Sequence, residues 1–376
     1  MKLITLSFET AKSILGCGAD LKGAFAFAEG NLLFLSDSFG DLEETDNFFN
    51  YEEQIRKYQK KLIPGKHIIA CDMHPGYHST RFAEKLSAAS RPASFVKVQH
   101  HEAHIASLMA DNLIMSPIIG IAFDGTGLGQ DGNIWGGEFF IGVPKKFIRA
   151  ARFNYLPMPG MDMAVSQPWR MASSYLYSSF GEDFLKLKMG FVKKLDKKKW
   201  PVIRRMIDGN INSPLTSSVG RLFDAASSMV LNKFSASYEA ELPINFEKIA
   251  DTSCEERYRF NISRKAGMMV INTRGIVRGI AEDIIKKEKP SVISAKFHNT
   301  LAEIIVKVSV CLRKRFDINM VGLSGGVFQN SILTDAAKRG LSEKGFNVYT
   351  HSRLSPNDSS ISLGQVYIAN ERSGCA

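Results

Sequence analysis

Residues 117–129 read PIIGIAFDGTGLG, an apolar run that ends at Asp124 and passes into closely spaced glycines. A short apolar run that is bounded by turn residues predicts a buried strand. The Asp131-Gly132 pair predicts a tight hairpin, which would return the chain into a second strand over residues 135–143. This strand pair would form the beginning of an α/β unit, because apolar strands and helical patterns alternate on both sides of it.

Two glycine-rich loops follow apolar strands and are candidate phosphate contacts. The first contains Gly125 and Gly127, directly after Asp124, and the second contains Gly325 and Gly326 in GLSGGVFQN, residues 322–330. Glycine lets backbone N–H groups approach an anion closely, and the helix predicted from Asn330 would add its positive N-terminus. The sequences match neither a Walker P-loop nor GxGxxG. The alternative for the first loop is an ordinary tight hairpin.

The first third of the chain alternates between strand and helix patterns. We predict a strand–turn–strand over residues 14–37 with its turn at Glu29-Gly30-Asn31, followed by strand 68–71, helix 77–90, strand 95–98 and helix 100–112. Asp72-Met-His74 places polar groups at the end of one strand, where α/β folds bind ligands. The alternative for the residues that follow is a helix N-cap formed by Ser79 or Thr80.

The sequence HHEAH at residues 100–104 carries two histidines at helical i and i+4 spacing. His100 and His104 would share one helix face and could bind one metal ion, whereas His101 would project about 100° away. Neutral imidazole suits iron, zinc or nickel. A solvated or capping histidine cluster is an equal alternative, because two ligands do not make a site and a carboxylate is needed from elsewhere.

A further candidate region is SSVGRLFDA, residues 217–225, with a Tyr-Glu pair downstream. Gly220 could allow a close backbone approach, and the carboxylates of Asp224 and Glu239 could accept hydrogen bonds from ribose hydroxyls. Taken alone, Leu222, Phe223 and Ala225 read more simply as the apolar face of a helix. Residues 160–245 as a whole have helical patterns and are predicted to form a helical insertion.

Composition limits the class of protein. The 376 residues carry 48 Lys and Arg against 38 Asp and Glu, which gives a net charge of +10 and favours anionic partners. The lysine runs near residues 193–199 read most simply as a solvated helix face.

Five scattered cysteines (Cys17, Cys71, Cys254, Cys311 and Cys375) without a CxxC motif predict a reducing, cytoplasmic location. No segment approaches the roughly 20 apolar residues that span a bilayer, so no membrane partner is expected.

Taken together and in order, the motifs resemble the C-terminal carbamoyltransferase region of the hydrogenase maturation factor HypF family. The motifs that carry this resemblance, from about residue 14 to residue 370, are ILGCGADLKGAFAF, SDSFGDLE, CDMHPGYHSTR, VQHHEAHIA, IAFDGTGLGQDGNIWGGEFF, QPWRMA, SSVGRLFDA, FHNTLA, GLSGGVFQN and PNDSSISLGQ. The resemblance implies an α/β chain with two ribonuclease-H-like lobes of the actin/Hsp70/sugar-kinase (ASKHA) fold and a helical insertion in the second lobe. We place the lobes at residues 1–115 and 116–376.

The resemblance also implies a site. His100, His104 and the distant Asp358 would hold a divalent metal, iron or zinc, and Asp124 would join them or contact the ligand phosphate. His100, His104 and Asp124 would be the catalytic residues. The glycine loops, Asp224 and Asn330 would bind carbamoyl-adenylate. The acceptor would be the C-terminal cysteine of a HypE-like protein, whose thiocarbamate supplies the cyanide ligands of [NiFe] hydrogenase.

Departures from the family pattern bear on how the chain would work. The acylphosphatase domain, the zinc-finger pair and the YrdC-type domain of the full-length family are not found in this sequence. We therefore expect carbamoyl-adenylate to come from a separate YrdC-like protein. Ala240 stands where the family usually has glycine, and Ser359-Ser360 replaces a common Gly-Gly.

Two alternative functions use the same core. One is a small-molecule O-carbamoyltransferase, against which the DMHP and FHNTLA segments favour the hydrogenase branch. The other is a non-enzymatic scaffold or tRNA-modification subunit, which would show strongly salt-dependent RNA binding. A nucleic-acid partner is not expected, because the metal ligands and both glycine loops are present in the sequence.

Overall fold

The computed structural model describes residues 2–373, and Cys375 lies outside that range. The first α/β unit is a four-stranded sheet in the order β2-β1-β3-β4, in which β1 and β2 are antiparallel and the other neighbours are parallel. Its elements are β1 (Lys2–Gly16), β2 (Ala26–Leu35), α1 (Thr45–Arg56), β3 (His67–Asp72), α2 (His78–Ser90), β4 (Ser94–Val98) and α3 (His100–Asp111). The predictions for strand 68–71, helix 77–90, strand 95–98 and helix 100–112 are confirmed to within one residue, whereas the strand–turn–strand prediction for residues 14–37 misses most of β1 and misplaces its turn.

The turn predicted at Glu29-Gly30-Asn31 is wrong, because these residues lie inside the single strand β2. The 15-residue strand β1 is long enough to pair with both apolar halves of β2. The register shifts on either side of the Thr10–Gly30 pair, where Gly30 takes a φ of +62°. Glycine tolerates this backbone, so a turn residue marks a β-bulge here instead of a hairpin.

The second unit is built on a sheet in the order β10-β11-β7-β6-β5-β12-β13, with β8 and β9 at its side. Strands β5, β6 and β7 are antiparallel, whereas β12 and β13 run parallel to β5. The strands are β5 (Ile118–Leu128), β6 (Ile134–Val143), β7 (Lys146–Phe153), β8 (Leu156–Pro157), β9 (Leu215–Thr216), β10 (Asn261–Lys265), β11 (Met268–Asn272), β12 (Met320–Ser324) and β13 (Asn347–Tyr349).

The region predicted to be a helical insertion is mostly helical. It contains α4 (Asp162–Ser166), α5 (Trp169–Phe180), α6 (Gly190–Lys194), α7 (Trp200–Asp208), α8 (Val219–Leu231) and α9 (Glu241–Lys248). The helices that follow are α10 (Arg274–Ile285), α11 (Pro290–Phe316), α12 (Ser331–Glu343) and α13 (Ile361–Ser373). The apolar side chains Leu222, Phe223 and Ala225 on α8 are buried in the core of the second unit.

The last helix, α13, returns to the first unit. Its side chains share one buried cluster with β1 and β3, including Val366 beside Ile14 and Ile68. The side chain of Gln365 exchanges two hydrogen bonds with the backbone of Gly18, at 2.7 and 2.9 Å. The predicted lobe boundary at residues 115 and 116 stays a prediction, and α13 adds residues from the end of the chain to the first lobe's packing.

Parallel pairing between β5 and β12 determines where the site lies. Ser324 pairs with Ala122, so the turn after β12 and Asp124 of β5 emerge at the same edge of the sheet. Helix α3 packs beside both strands and brings its histidines to that edge. Within residues 2–373, no helix has both the length and the apolarity required to cross a bilayer. The four cysteines in this range are free thiols.

Candidate metal and nucleotide site

Four side chains from distant parts of the sequence meet in one buried cluster: His100, His104, Asp124 and Asp358. One ligand atom from each residue lies within 4.8 Å of the ligand atoms of the other three. The Nε2 atoms of the two histidines lie 3.4–3.8 Å from Oδ2 of Asp124 and Oδ1 of Asp358. We call this group the His/Asp cluster.

The histidines are brought together by α3. Gln99 caps the helix, since its side chain accepts a hydrogen bond from the Glu102 N–H at 2.9 Å. One turn separates His100 from His104, so their rings lie on one face with centroids 4.9 Å apart. His101 is not one of the cluster ligands, and its ring lies between the His100 ring, at 5.3 Å, and that of Trp135, at 6.1 Å.

Asp72, at the end of β3, orients His100. Its Oδ2 accepts a 2.8 Å hydrogen bond from Nδ1–H of His100, and its Oδ1 accepts one from the His74 N–H. With Nδ1 protonated, Nε2 of His100 carries the lone pair that faces the cluster. A carboxylate behind a ligating imidazole is the usual support of a metal site.

The cluster fits a divalent metal. Among residues 2–373, Nε2 of His100 and Nε2 of His104 have no hydrogen-bond partner, although both atoms are buried. Two ligands bound about 2.1 Å from one ion at a tetrahedral angle lie about 3.4 Å apart, close to the distances between these nitrogens and the carboxylate oxygens. Two imidazoles with two carboxylates form a ligand set that zinc and ferrous iron both accept.

Electrostatics favour positive charge at this point. Burial would raise the pKa of Asp124, but the imidazoles of His100 and His104, 3.5 and 3.8 Å from its Oδ2, hold it well below its usual range. Burial would likewise lower the pKa of His100, yet the charge of Asp358 and the nearby carboxylates of Asp124 and Asp72 raise it well above the ordinary value. The carboxylates therefore stabilise a cation in the cluster, either a proton or a metal ion.

The loop that carries Asp358 is tied to the far end of α3 by Asp111. The Asp111 carboxylate accepts hydrogen bonds from the N–H groups of Ser352 and Arg353, at 2.7 and 3.1 Å, and from Nε of Arg353 at 3.0 Å. Midway along α3, the hydroxyl oxygens of Ser107 and Ser360 lie 3.0 Å apart. The helix that carries both histidines thus also positions the loop of the distant carboxylate.

Asp124 joins the His/Asp cluster to the second glycine loop. Its Oδ2 faces the histidines, and its Oδ1 accepts the N–H of Gly326 at 3.1 Å. Gly325 takes a φ of +103°, and a Cβ there would lie 2.2 Å from the carbonyl oxygen of Phe123. Only glycine permits this close approach of β12 to β5.

A cavity of about 390 Å³ lies beside Asp124. We call it the nucleotide cavity. Its walls bring together six of the residues that the sequence proposed for nucleotide binding: Gly125, Gly220, Asp224, Glu239, Gly326 and Asn330. Gly127 and Gly325 do not line it. Gly127 instead lets the β5–β6 hairpin pack against α3, because a Cβ there would lie 2.6 Å from Cε1 of His101.

The polar groups of the nucleotide cavity differ in how they are held. Burial raises the pKa of Asp224 to about 6, against a lowering effect of Arg221, whose Nη2 lies 3.1 Å from Oδ2 of Asp224. Glu239 forms a 2.7 Å ion pair with Lys22, a residue of the first unit. This pair closes one side of the cavity across the two units.

Asn330 is fixed by two hydrogen bonds. Its Oδ1 accepts the N–H of Leu333 and so caps α12, while its Nδ2 donates to Nε2 of His298 at 2.9 Å. His298 is held in turn, since its Nδ1 donates to the carbonyl oxygen of Ser294 at 2.8 Å. The FHNTLA motif therefore supports the cavity wall through His298.

Several residues with a role in the site were not singled out from the sequence. Asp20, in the GADLKG segment, accepts the N–H groups of His78 and Ser79 and caps α2. The capping of α2 by Ser79 or Thr80 is wrong, because neither side chain caps the helix. Asp111 and Arg221 were also missed, since their significance depends on the loops that pack against them. The sequence did offer one indication of Arg221, because it lies inside the SSVGRLFDA motif.

Comparison with known proteins connects this geometry to a family. Residues 120–365 match the family model described as "Carbamoyltransferase, Kae1-like Domain, second subdomain", and residues 9–111 match "HypF Kae1-like domain". The chain is 32% identical to carbamoyltransferase HypF of Synechocystis over 96% of its own length and 48% of that relative. It is 31% identical to a carbamoyltransferase HypF homolog of Cupriavidus necator, covering 95% of this chain and 91% of that one.

A solved structure has the same fold. It is described as full-length HypF in the phosphate- and nucleotide-bound form, with a TM-score of 0.92 and 38% identity, covering 98% of this chain and 47% of that one. The predicted two-lobed ASKHA fold is thereby confirmed. The chain spans about half the length of several curated relatives that it matches. The family models and the relatives together show that this chain belongs to the HypF family, over the region that contains the Kae1-like domains.

Proposed function

We propose that this chain transfers a carbamoyl group from carbamoyl-adenylate to a cysteine thiol. One observation carries the proposal: Asp124 belongs to the His/Asp cluster and also lines the nucleotide cavity. A substrate that occupies the cavity would place its phosphate end against the cluster. The family's carbamoyltransferase relatives support the choice of carbamoyl over other groups.

The proposed substrate position follows from the chemistry of the cavity walls. Phe223, Pro243 and Ile244 supply apolar surface for an adenine ring. Asp224 and Glu239 are carboxylates that can accept hydrogen bonds from ribose hydroxyls. Gly125, Gly220, Gly326 and Asn330 lie toward the phosphate, while Gly127 and Gly325 would act by shaping the two loops.

The transfer itself is a substitution at the carbamoyl carbon. The sulfur of the acceptor thiolate forms a bond to that carbon, the bond from the carbon to the adenylate phosphate oxygen breaks, and AMP leaves with the electron pair. The thiol proton passes to solvent. A cavity that holds the adenylate rigidly removes much of the entropic cost of bringing these atoms into line.

His100, His104, Asp124 and Asp358 would hold the divalent ion, iron or zinc, and a bound ion supplies Lewis-acid stabilisation of developing negative charge. The protein's own residues preorganise that position. Asp72 keeps Nδ1 of His100 protonated, and Gly326 donates to the oxygen of Asp124 that faces away from the cluster. These contacts reduce the reorganisation that the reaction requires.

The acceptor and the source of the donor are part of the same proposal. The acceptor is the C-terminal cysteine of a HypE-like protein, as the family resemblance implies. In this proposal carbamoyl-adenylate is supplied by a separate YrdC-like protein. Hydrogenase maturation is the process in which these steps belong.

The experiment supplies the donor directly. The metal-loaded chain is mixed with synthetic carbamoyl-adenylate and a peptide that ends in cysteine with the sequence of a HypE tail. Mass spectrometry should show one added carbamoyl group on the peptide, together with stoichiometric AMP. A peptide ending in serine serves as the matched control and should stay unmodified.

Two outcomes would reject the proposed acceptor. Transfer to amino sugars or simple alcohols, with the cysteine peptide unmodified, would favour a small-molecule O-carbamoyltransferase. Absence of any transfer, by a chain that binds both metal and AMP, would reject the carbamoyltransferase activity of the isolated region. A test of tRNA binding at low and high salt covers the non-enzymatic alternative.

A further inference from the structure

Arg221 is a buried cation in the wall of the nucleotide cavity with unused hydrogen-bond donors. The residue is only 6% exposed and lines the cavity. Among residues 2–373, its Nε and Nη1 atoms have no hydrogen-bond acceptor. Buried donors without an acceptor are rare because each costs about 1–3 kcal/mol, more when the group is charged. Arg221 therefore brings to the cavity wall hydrogen-bond donors that no group within residues 2–373 uses.

The backbone places Arg221 against the first glycine loop. Its N–H donates to the hydroxyl of Ser218, and that hydroxyl oxygen also lies 2.7 and 2.6 Å from the carbonyl oxygens of Asp124 and Gly125. A Cβ on Gly220 would lie 2.9 Å from Cα of Gly125, so α8 and the loop are in close contact. The Nη2 atom of Arg221 lies 3.6 Å from the position of a Cβ on Gly125.

The charged neighbours leave Arg221 available. Asp224 approaches Nη2 and leaves Nε and Nη1 free. Lys22, the other cation in the cavity wall, is paired with Glu239 and has 31% of its side chain exposed. Glu247 accepts hydrogen bonds from Ser331 at the start of α12. Of the two cations that line the cavity within residues 2–373, Arg221 is the one with unsatisfied donors.

We propose that Arg221 binds the phosphate of the nucleotide and so makes the cavity selective for adenylates over adenosine. The inference rests on the proposed function, because that function places a nucleotide in this cavity. To the proposed function it adds one residue, Arg221 on α8, that recognises the phosphate. Guanidinium suits this task, since it stays charged and can keep Asp224 on one nitrogen while donating to phosphoryl oxygens with others.

The test compares two ligands that differ only in the phosphate. Isothermal titration of the intact chain with AMP and with adenosine gives the preference for the phosphate. We expect Arg221→Gln to weaken AMP binding about 10- to 100-fold. Adenosine binding should change by less than about 3-fold, because the ribose and adenine contacts remain. Arg221→Lys, which keeps the charge but loses the fork of donors, should fall between the two proteins.

The matched control is Arg278→Gln, which removes an arginine that does not line the cavity, and its AMP preference should equal that of the original chain. Lys22→Gln removes the other cation of the cavity and should lower the preference less than Arg221→Gln does. The inference is overturned if Arg221→Gln weakens AMP and adenosine equally, because Arg221 would then act only through Asp224. It is also overturned if Lys22→Gln abolishes the AMP preference and the Arg221 variants retain it.

Failure of the proposed function gives a different result. If the original chain binds neither AMP nor adenosine, the cavity is not a nucleotide site and both proposals fall. If it binds AMP with the same affinity as adenosine, only the role of Arg221 is rejected. Circular dichroism of each variant confirms the fold, and Arg221→Lys keeps the test decisive should Arg221→Gln not fold.

Discussion

The His/Asp cluster and the nucleotide cavity share Asp124, and both contain buried polar atoms without a hydrogen-bond partner, but they differ in how the surrounding residues hold them. In the cluster, Asp72 holds His100, Gly326 holds Asp124, and Asp111 holds the loop of Asp358. In the cavity, the carboxylate of Asp224 has an oxygen without a hydrogen bond, as do two nitrogens of Arg221. Supporting contacts thus preorganise the cluster, whose free histidine nitrogens suit a small ion, whereas the proposed nucleotide would supply the hydrogen-bond partners that the cavity residues lack.

The largest effect is expected from removing both imidazoles of the cluster. The double change His100→Ala and His104→Ala leaves only two carboxylates, which do not form a tight zinc or iron site without further ligands. We expect the bound metal to fall from near one equivalent to below a tenth, and carbamoyl transfer to be lost with it. Elemental analysis of the purified chain by mass spectrometry measures the metal directly.

His101→Gln is the matched control for this change. The residue lies on the same helix and is equally buried, but it is outside the cluster. Its metal content should equal that of the original chain. Equal metal content in the double alanine variant and in the control would show that the His/Asp cluster does not bind the metal.

A smaller loss of metal affinity is expected from Asp111→Asn. The amide keeps the shape of the carboxylate but accepts with one oxygen only, so it can no longer receive the N–H groups of residues 352 and 353 together with Nε of Arg353. The loop that presents Asp358 should then be less well ordered. Supporting residues of metal sites typically contribute 10- to 100-fold in affinity, and competition with a chelating dye measures this range.

Asp251→Asn serves as the control for Asp111→Asn. Asp251 also accepts hydrogen bonds from a neighbouring backbone and hydroxyl, at Ser253, but it is not part of the cluster or its supporting loop. Metal affinity unchanged in Asp111→Asn would mean that the loop finds its position through Ser107 and Ser360 alone.

The cluster and the cavity were also unequally predictable from the sequence. The i, i+4 histidines and the strand that ends at Asp124 could be located from periodicity, because these contacts are local. The participation of Asp358 could be expected only from the family resemblance, since more than 200 residues separate it from Asp124. Spacing along the chain carries no information on such a contact, which depends on the parallel pairing of β5 with β12.

Other features could not be predicted because they depend on burial. The sequence around Gly30 is typical of a turn, but pairing with the long strand β1 makes it a bulge within β2. Arg221 lies in a helix whose apolar face is recognisable from the sequence, but its unsatisfied donors depend on tertiary packing, in which Gly220 lies against Gly125. A pattern shows which residues could act, and tertiary packing decides which donors remain free.

We expect the ionised carboxylate of Asp224 to lower the stability of the folded chain while it contributes to ligand binding. Its pKa of about 6 in the folded chain is above the ordinary value of 3.8, so ionisation is less favourable in the folded state. The contribution of the neutral acid to stability is present below pH 3.8 and is lost as the pH rises through about 6. Asp224→Asn, which imitates the neutral acid, should therefore stabilise the ligand-free chain at high pH, by about 2–3 kcal/mol at most.

Denaturant unfolding of both proteins between about pH 4.5 and about pH 8 measures this difference. The stability gap should widen as the pH rises, while the affinity for AMP falls in Asp224→Asn because one ribose acceptor is lost. The exposed Asp335, changed to Asn, is the control for the substitution itself. A gap that narrows with rising pH would contradict the raised pKa of Asp224.

The smallest effect concerns the rim of the cavity, at Ala240. This residue precedes α9 with a φ of +58° and a ψ of 19°, a left-handed conformation that costs a residue with a Cβ about 1–2 kcal/mol. Ala240→Gly should relieve that strain, although glycine also gains freedom in the unfolded chain, so the net stabilisation should stay below about 1 kcal/mol. Thermal unfolding should show a rise of a few degrees or less, with AMP affinity changed by less than about 3-fold. A larger loss of AMP affinity in Ala240→Gly would mean that the cavity rim must be as rigid as the His/Asp cluster. The two parts of the site would then differ only in the size of the ligand that each binds.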